Sequence, residues 1–341
     1  MAAKRRKLRV LETCWHIAHN HDLIMALNDV ADFDLLINYA RRWDERNRPL
    51  PESVNWVTHI EPNKYDFAIL HVDQQCSNMD LNKSILTKHM KETIKKVDPK
   101  LPIVFINHGT PVYPELYPDA KHPDYISEVL RKEILDIVGD DHMIVNSHQS
   151  ARDWGRGYPI IHGMNKDEWK YYEEREPRSC TFVSSAGIGD KYYNREYLRS
   201  VMEILDERYG IKHQWINQPG CFCANGIKDF KEFLGKSLIY FNPTFASCMP
   251  RSRTEAMISG CCIVSLAGHD VETYIEDGVN GFIAPRDDAN YTAKLIKMLM
   301  DNYEHTKEIG KRGRETAIEI FDRERYKQDW VKFIKDVVVG Q

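Results

Sequence analysis

The sequence predicts two α/β domains, each built on a parallel sheet, in a chain of 341 residues. Short apolar segments bounded by turn residues alternate with helical segments, and this alternation is typical of parallel sheets with crossover helices. Several apolar segments lack the two-residue alternation of half-buried strands, as expected when helices cover both faces of a sheet. The length exceeds that of one small domain and fits two domains of roughly 150 residues each.

The predicted elements fall into two series. In the first, we predict strands at 8–14, 33–39, 54–60, 67–72, 103–107 and 143–146. Apolar residues at helical spacing predict helices between them at 21–30, 81–97 and 126–138. In the second series, we predict strands at 180–184, 213–216, 238–241 and 262–266. Each series therefore predicts one sheet.

A charged and aromatic stretch that ends at Pro177 lies between the two series, and we interpret it as a linker. The predicted organisation is an N-terminal Rossmann-like domain over 1–165, a linker over 166–177, a C-terminal Rossmann-like domain over 178–322 and a closing helix over 323–341.

Composition indicates a soluble globular protein, with 42% hydrophobic and 29% charged residues. No apolar run approaches the roughly 20 residues that a membrane-spanning helix needs. The first ten residues are basic but lack the apolar core of a secretory signal. Without such a signal, the eight cysteines suggest free thiols and a cytoplasmic protein. A net charge of −4 gives no electrostatic reason to expect nucleic acid or anionic membrane as a partner.

Polar residues directly follow several predicted strands. His108 follows the strand at 103–107, Trp15 and His16 follow the first strand, and Thr244 comes after Pro243 beyond the strand at 238–241. Ligands of parallel α/β sheets bind beyond the carboxyl ends of the strands. We therefore expect a binding cleft lined by such residues, between two domains that face each other.

The first predicted strand is followed by a segment rich in histidine. It contains Trp15, His16, His19, His21 and Asp22. Their spacing matches no standard zinc pattern, so zinc ligation is the less favoured interpretation. Contact with an acceptor substrate and an ordinary polar loop both remain open.

The segment 249–265 is the most informative part of the sequence. It predicts a loop, one short helix, a stop at Gly260 and a buried strand. Glu255 falls in the first turn of this predicted helix. Ser252 and Glu255 have the spacing of a capping box, in which the glutamate satisfies an amide at the helix start. On pattern alone the capping box is the simpler interpretation, and binding of a polyol by Glu255 is the alternative.

The run Glu255, Ala256 and Met257, followed by Gly260 and apolar residues, resembles the donor-binding segment of retaining glycosyltransferases of family 4. Further segments resemble the same family, at 161–165, 242–244, 268–272, 277–283 and 323–338. Two positions depart from the family pattern. Ser247, eight positions before Glu255, stands where the family has its first glutamate, and Ser185 stands where it has an arginine.

The resemblance implies a GT-B fold, in which two Rossmann-like domains face a central cleft and the closing helix packs back on the N-terminal domain. It implies transfer of a hexose or pentose from a nucleotide-sugar donor, a UDP- or GDP-sugar, to an acceptor hydroxyl with retention of configuration. The acceptor attacks from the face that the diphosphate leaves, and the departing phosphate oxygens help to remove its proton. Such a reaction requires neither a metal nor another cofactor.

The resemblance also implies roles for particular residues. Glu255 holds the ribose and His108 orients the sugar near the reaction centre. Lys191 matches a phosphate-binding lysine, and Arg251 or Arg253 supplies the charge lost at Ser185, since the departing diphosphate needs nearby cations. The donor-side residues are thus Ser185, Lys191, Asn242, Ser247, Arg251, Ser252, Arg253, Thr254 and Glu255; the acceptor-side residues are Trp15, His16 and His19.

Three alternatives remain open at the level of sequence. A sugar-nucleotide epimerase shares this architecture, and the departures at Ser185 and Ser247 also suit a nucleotide-sugar-binding protein without activity. A glycosyltransferase acting on modified bases in DNA is a narrower variant. The acceptor is a glycan, a small molecule, a protein or DNA, and the sequence determines neither the acceptor nor the oligomeric state.

Overall fold

The computed structural model describes residues 6–37, 43–77, 81–113, 125–183, 190–244, 246–247, 249–268 and 270–338, with backbone only at 81–83. The chain divides into two compact units. Unit 1 comprises Met1–Pro111, Glu128–Met164 and Arg323–Gln341, and unit 2 comprises Val112–Ser127 and Asn165–Asp322.

Unit 1 is built on a parallel sheet. Its strands are β1 (Leu8–Thr13), β2 (Ala31–Leu36), β3 (Val54–Val57), β4 (Phe67–Val72), β5 (Ile103–Asn107), β6 (His142–Val145) and β7 (Tyr158–Pro159). They lie in the order β3-β2-β1-β4-β5-β6-β7. From β1 the chain adds β2 and β3 toward one edge of the sheet, and then adds β4 to β7 toward the other edge. The position between β1 and β4, where this direction reverses, is the switch point of the sheet, and it leaves a crevice at the carboxyl ends of the strands.

The helices of unit 1 pack on this sheet through apolar side chains. They are α1 (Ile17–Leu27), α2 (Leu81–Val97), α3 (Glu128–Val138) and α4 (His148–Trp154). Helix α1 begins four residues before the predicted helix at 21–30, so His19 lies on the helix and not in the loop before it. Asn20 fixes the preceding turn, because its Oδ1 accepts a hydrogen bond from the backbone N–H of Trp15 at 3.1 Å.

Unit 2 has a smaller parallel sheet. Its strands are β8 (Glu176–Thr181), β9 (Gln214–Trp215), β10 (Ser237–Asn242), β11 (Cys262–Leu266) and β12 (Phe282–Ala284), in the order β12-β11-β10-β8-β9. The helices are α5 (Asp190–Tyr193), α6 (Arg195–Tyr209), α7 (Ile227–Lys236), α8 (Arg251–Ile258), α9 (Ala289–Asp301) and α10 (Tyr303–Ile320). Strand succession reverses between β8 and β10, which is the switch point of this sheet.

The last helix, α11 (Arg323–Phe333), belongs to unit 1 and continues as one π-helical segment, Ile334–Val338. Trp330 and Phe333 are 1% exposed and join the core of unit 1 beside Phe33. Gly163 permits the close approach of this helix, since a Cβ there would lie 2.4 Å from Tyr326 Cβ. In addition, Arg325 Nη2 donates to the carbonyl of Ile161 at 2.8 Å.

The stretch interpreted as a linker, 166–177, packs on unit 2. Trp169 is 2% exposed, and the buried Arg175 donates from Nη1 to the carbonyl of Ser237 at 2.8 Å and from Nη2 to that of Ser259 at 2.7 Å. Strand β8 already begins at Glu176. The aromatic and charged residues of this segment therefore pack on unit 2 and form hydrogen bonds with it. The composition of the segment had indicated a linker.

The predicted pair of parallel α/β sheets is confirmed. The predicted strand at 33–39 lies at Ala31–Leu36, and the short edge strands β7 and β12 lacked a strand prediction. Each of these edge strands has only two or three residues, too few to show a hydrophobic pattern. In the described residues, no helix has the length and hydropathy that crossing a membrane would require.

Candidate functional site

Helix α8 begins at Arg251, directly after Pro250, and this start excludes the capping box. Proline is tolerated at a helix start because the first backbone N–H groups have no intrahelical acceptor. Pro250 is the residue at the cap, so Ser252 already lies within the helix and its Oγ donates to the carbonyl of Phe182 at 3.2 Å. Glu255 thus lies two residues beyond the position that the glutamate of a capping box occupies.

Glu255 is 6% exposed and holds an ion pair within α8. Its Oε1 accepts a hydrogen bond from Arg251 Nε at 2.9 Å, one helical turn away. The side chains of Glu255 and Arg251 are 8% and 12% exposed, so solvent screens the pair only weakly. Arg251 therefore orients the carboxylate.

Arg253 faces the interior of unit 2. It is 2% exposed, and its Nη1 donates to Ser265 Oγ on β11 at 3.0 Å. The guanidinium lies over the ring of Tyr274, 5.4 Å from the ring centroid. These contacts hold α8 against β11, while Thr254 Oγ1 bonds the carbonyl of Arg251 within the helix at 2.9 Å.

The end of β10 supplies further polar groups. Asn242 is fully buried and its Nδ2 donates to Thr244 Oγ1 at 3.3 Å. Its Oδ1 is buried without a hydrogen-bond partner among the residues that the structure describes. A buried amide oxygen of this kind is costly unless a ligand or water satisfies it.

The following loop is tied to α5, because the backbone N–H of Ala246 donates to the carbonyl of Tyr192 at 3.2 Å. Lys191 is exposed on α5, and Ser247 follows Ala246 in this loop. Phe182, at the end of β8, also exchanges hydrogen bonds with the hydroxyl of Tyr240. The structure therefore assembles the ends of β8 and β10, helix α5 and the start of α8 at the switch point of unit 2. Ser185 lies outside the described residues.

Unit 1 carries a second polar cluster at its own switch point. His108, directly after β5, is hydrogen-bonded through Nε2 to Nδ1 of His71 on β4, at 2.8 Å. On the other side of His71, its Nε2 lies 3.4 Å from Oε1 of Glu12 on β1. Asn20 Nδ2 donates to the same oxygen of Glu12 at 2.6 Å. Glu12 is fully buried and His71 is 2% exposed, whereas His108 is part-exposed.

Other imidazole rings surround His108. The rings of His16 and His19 each lie 4.7 Å from it, centroid to centroid, and His162 lies 5.7 Å from His19. Trp15 Nε1 donates to Asp73 Oδ2 at 3.3 Å. The structure thus brings together the predicted residues Trp15, His16, His19 and His108. In the described part of the chain, no three histidine, cysteine or acidic side chains have an arrangement that could hold a metal ion.

Burial raises the pKa of Glu12 from 4.5 to about 8, while the hydrogen bond from Asn20 acts in the opposite direction. A carboxyl that ionises near neutral pH is suited to take up and release a proton. Glu12 and His71 were not among the residues predicted from the sequence. The signal was available, since both are polar residues within otherwise apolar segments that predict buried strands, and such residues are rare unless they are paired.

Residues 213–316 match the model of one protein family, described as glycosyl transferases group 1. This match spans β9 to α10 of unit 2 and includes Glu255. No curated protein matches the chain significantly in sequence.

Known structures with a similar fold include Anabaena HepE in complex with UDP and glucose, with a TM-score of 0.70 and 12% identity over 97% of this chain and 100% of that one. Sucrose-phosphate synthase of Thermosynechococcus elongatus has a TM-score of 0.67 and 13% identity over 98% and 100% of the two chains. A structure of trehalose-6-phosphate synthase has a TM-score of 0.63 and 10% identity over 97% and 99%. At these identities, the similarity shows the fold alone. It confirms the predicted fold class, two Rossmann-like units as in structures of the GT-B class of glycosyltransferases.

Proposed function

We propose that this protein is a glycosyltransferase that moves a sugar from a nucleotide-sugar donor to an acceptor hydroxyl, with retention of configuration and without a metal. One observation carries the proposal: buried Glu255, oriented by Arg251 at the switch point of unit 2, lies in the segment that matches the group 1 family. The similar structures support it, since HepE is described in complex with UDP-glucose and trehalose-6-phosphate synthase in connection with glycosyl transfer with retention.

Glu255 accepts hydrogen bonds from the ribose hydroxyls of the donor in this proposal. Its ion pair with Arg251 fixes the direction of the carboxylate, and hydrogen bonds to a charged acceptor are about twice as strong as neutral ones. Because the capping role is excluded, Glu255 needs another reason to be buried at this position. Binding of a ribose diol provides one.

The diphosphate of the donor lies near the start of α8. The N–H groups of a helix start and its dipole favour an anion there. Lys191 and Arg251 are the cations that we assign to the leaving phosphate, and Ser247 provides a hydroxyl in place of the family's first glutamate. Arg253 is the weaker candidate because Ser265 and Tyr274 already engage its guanidinium. His108 orients the transferred sugar.

The test is binding followed by turnover. We expect UDP-glucose or a GDP-sugar to raise the melting temperature, because a ligand that binds only the folded state stabilises it by mass action. EDTA should leave binding unchanged. With an acceptor panel, release of the nucleoside diphosphate and the anomeric configuration of the product establish transfer and retention. Absence of binding by UDP- and GDP-sugars alike would overturn the proposal.

A nucleotide-sugar-binding protein without activity is the second candidate, favoured by Ser247 in place of a glutamate. It predicts tight donor binding with no release of nucleotide from any acceptor in the panel. An epimerase would instead convert the donor when incubated without an acceptor. A DNA-directed enzyme would lose affinity for its acceptor steeply with salt, because phosphate contacts release counterions.

A further inference from the structure

The crevice at the switch point of unit 1 contains a glutamine whose side-chain oxygen is buried. Gln74 follows Asp73 directly after β4 and is 1% exposed. Its Oε1 lies against Gly109, the second residue after β5, where a Cβ would be only 1.9 Å from this oxygen. Among the residues that the structure describes, none forms a hydrogen bond with Gln74 Oε1. Gln74 therefore carries an unsatisfied hydrogen-bond acceptor between the ends of β4 and β5.

A glutamine in this state is costly for the fold alone, so its presence calls for an explanation. The buried oxygen loses its hydration without gaining a hydrogen bond, whereas an apolar side chain of similar size would avoid this loss. The terminal torsion of glutamine is broad and soft, so the amide can turn away from Gly109 at little cost. A ligand that offers an O–H or N–H donor in the crevice would satisfy the oxygen.

Asp73 supplies a second hydrogen-bond acceptor beside Gln74. It is 3% exposed, and its Oδ1 accepts from the backbone N–H of Gln75 at 2.7 Å. Its Oδ2 accepts from Trp15 Nε1 at 3.3 Å. A carboxylate has about four acceptor sites, so protein donors can fix Asp73 while it takes a further bond from a ligand. The side chain of His16 is 34% exposed, and its Nε2 lies 3.8 Å from Asp73 Oδ2, so the group reaches the open side of the crevice.

These two acceptors select the chemical class of a ligand. An amide oxygen and a carboxylate only accept hydrogen bonds, so the ligand must supply the donors. A sugar or another polyol presents several hydroxyl donors, whereas an ionised phosphate or carboxylate group presents none and would be repelled by Asp73. A site that is built to pair with hydroxyl groups also rejects ligands that leave its polar groups unpaired. The crevice is therefore suited to a neutral polyhydroxylated molecule.

We propose that this crevice binds the acceptor substrate, that this substrate is a neutral sugar or polyol, and that Gln74 and Asp73 accept hydrogen bonds from its hydroxyl groups. The inference rests on the proposed glycosyl transfer and names the acceptor class that the sequence left open. His16, which was predicted on the acceptor side, lies at the same site. Gln74 and Asp73 bind and orient the substrate, and the departing phosphate takes up the proton of the reacting hydroxyl, as in the proposed retaining mechanism.

The first test compares acceptor substrates on the wild-type protein, with a donor that it binds. The panel contains glucose, maltose, sucrose and myo-inositol, the phosphate ester of each, a serine-containing peptide and single-stranded DNA. Release of the nucleoside diphosphate should occur with at least one neutral polyol. The phosphate ester of the polyol that reacts best should have a kcat/KM at least about tenfold lower, because its charge meets Asp73.

Two results of this test would overturn the inference. One is preferred transfer to a phosphate ester, the peptide or DNA, which would leave the proposed glycosyl transfer standing. The other is donor binding without transfer to any neutral polyol. Absence of donor binding is a different result, since it contradicts the proposed function itself, so the two failures are distinguishable.

The second test separates substrate binding by Gln74 from a structural role. Gln74→Met removes both polar atoms at similar size and should raise the KM for the polyol about tenfold. The Kd for the donor should stay unchanged, and the melting temperature should stay unchanged or rise, because an unpaired buried oxygen is lost. The control is Asn55→Leu, which removes another amide of unit 1, one that donates to Asp34, and should leave the KM unchanged. A lower melting temperature with an unchanged KM would overturn the assignment of Gln74.

The third test concerns the charge of Asp73. Asp73→Asn keeps the shape of the side chain and one acceptor oxygen but removes the negative charge. The preference for the neutral polyol over its phosphate ester should therefore fall about tenfold. The control Asp34→Asn neutralises another buried carboxylate of the same sheet, bonded to Tyr65 and Lys64, and should leave the preference unchanged. An equal preference in the wild-type protein and in Asp73→Asn would overturn the selection of a neutral substrate by this site.

Discussion

Replacement of Glu255 by glutamine gives the sharpest test of the donor site. The amide has nearly the same shape and can still accept the 2.9 Å bond from Arg251 Nε, so the fold of α8 should persist. The change removes the negative charge and one acceptor oxygen. A hydrogen bond to a charged group contributes about 1.5–3 kcal/mol, and each 1.4 kcal/mol corresponds to about a tenfold change in Kd. We therefore expect UDP to bind about 10- to 100-fold more weakly.

The assay is isothermal titration of the wild-type protein and Glu255→Gln with UDP and with 2′,3′-dideoxy-UDP, which lacks the ribose hydroxyls. The penalty should appear with UDP and disappear with the dideoxy analogue, as in a double-mutant cycle. Glu319→Gln is the control, because Glu319 is an exposed carboxylate of α10 and its loss changes the net charge equally. An equal penalty with both nucleotides would refute the assignment of Glu255 to the ribose.

Three further predictions concern stability. Burial lowers the pKa of His213 from 6.5 to about 3, so below about pH 6.5 only the unfolded chain protonates this imidazole. The free energy of unfolding therefore falls by about 1.4 kcal/mol per pH unit below about 6.5. His213→Asn should reduce this slope in urea unfolding, and an unchanged slope would contradict the prediction. Gly310→Ala would place a Cβ 2.4 Å from the carbonyl oxygen of Gly260 and should lower the unfolding free energy by about 1–3 kcal/mol. The control Lys311→Ala, at the exposed neighbouring position, should leave the unfolding free energy nearly unchanged. Arg253→Lys should also lower the unfolding free energy by about 1–3 kcal/mol, since lysine cannot reproduce the guanidinium contacts to Ser265 and Tyr274. The affinity for UDP should stay unchanged in this variant. Weaker UDP binding would instead assign Arg253 to the diphosphate.

The pH dependence of His213 has a defined sign. Above about 6.5 both the folded and the unfolded states hold a neutral imidazole, so the group has no effect on stability there. The Nδ1 atom lies 2.8 Å from Ser179 Oγ, and asparagine can keep a hydrogen bond at that position. The comparison therefore isolates protonation from packing.

Local sequence patterns were sufficient for several parts of the site. Apolar segments followed by polar residues placed His108 directly after β5 and Thr244 shortly after β10, because strand ends are marked by turn residues and a change of polarity. The short helix before Gly260 was also predicted correctly. The first residue of this helix was predicted incorrectly. A serine followed three residues later by a glutamate fits the capping pattern at any position in a helix, and only the backbone shows that α8 starts at Arg251.

The sequence by itself determined the class of the fold and the presence of Glu255 on a helix after a buried strand, because these depend on hydrophobic periodicity and short-range turns. The tertiary structure alone decided the order of the strands, and with it the meeting of Glu12, His71 and His108 from three adjacent elements. Strand order depends on which side chains of the whole unit pack together, and these residues are separated by 59 and 37 positions along the chain. Contacts over such distances leave no local pattern, although an acidic residue or a histidine within an apolar strand marks the places where they form.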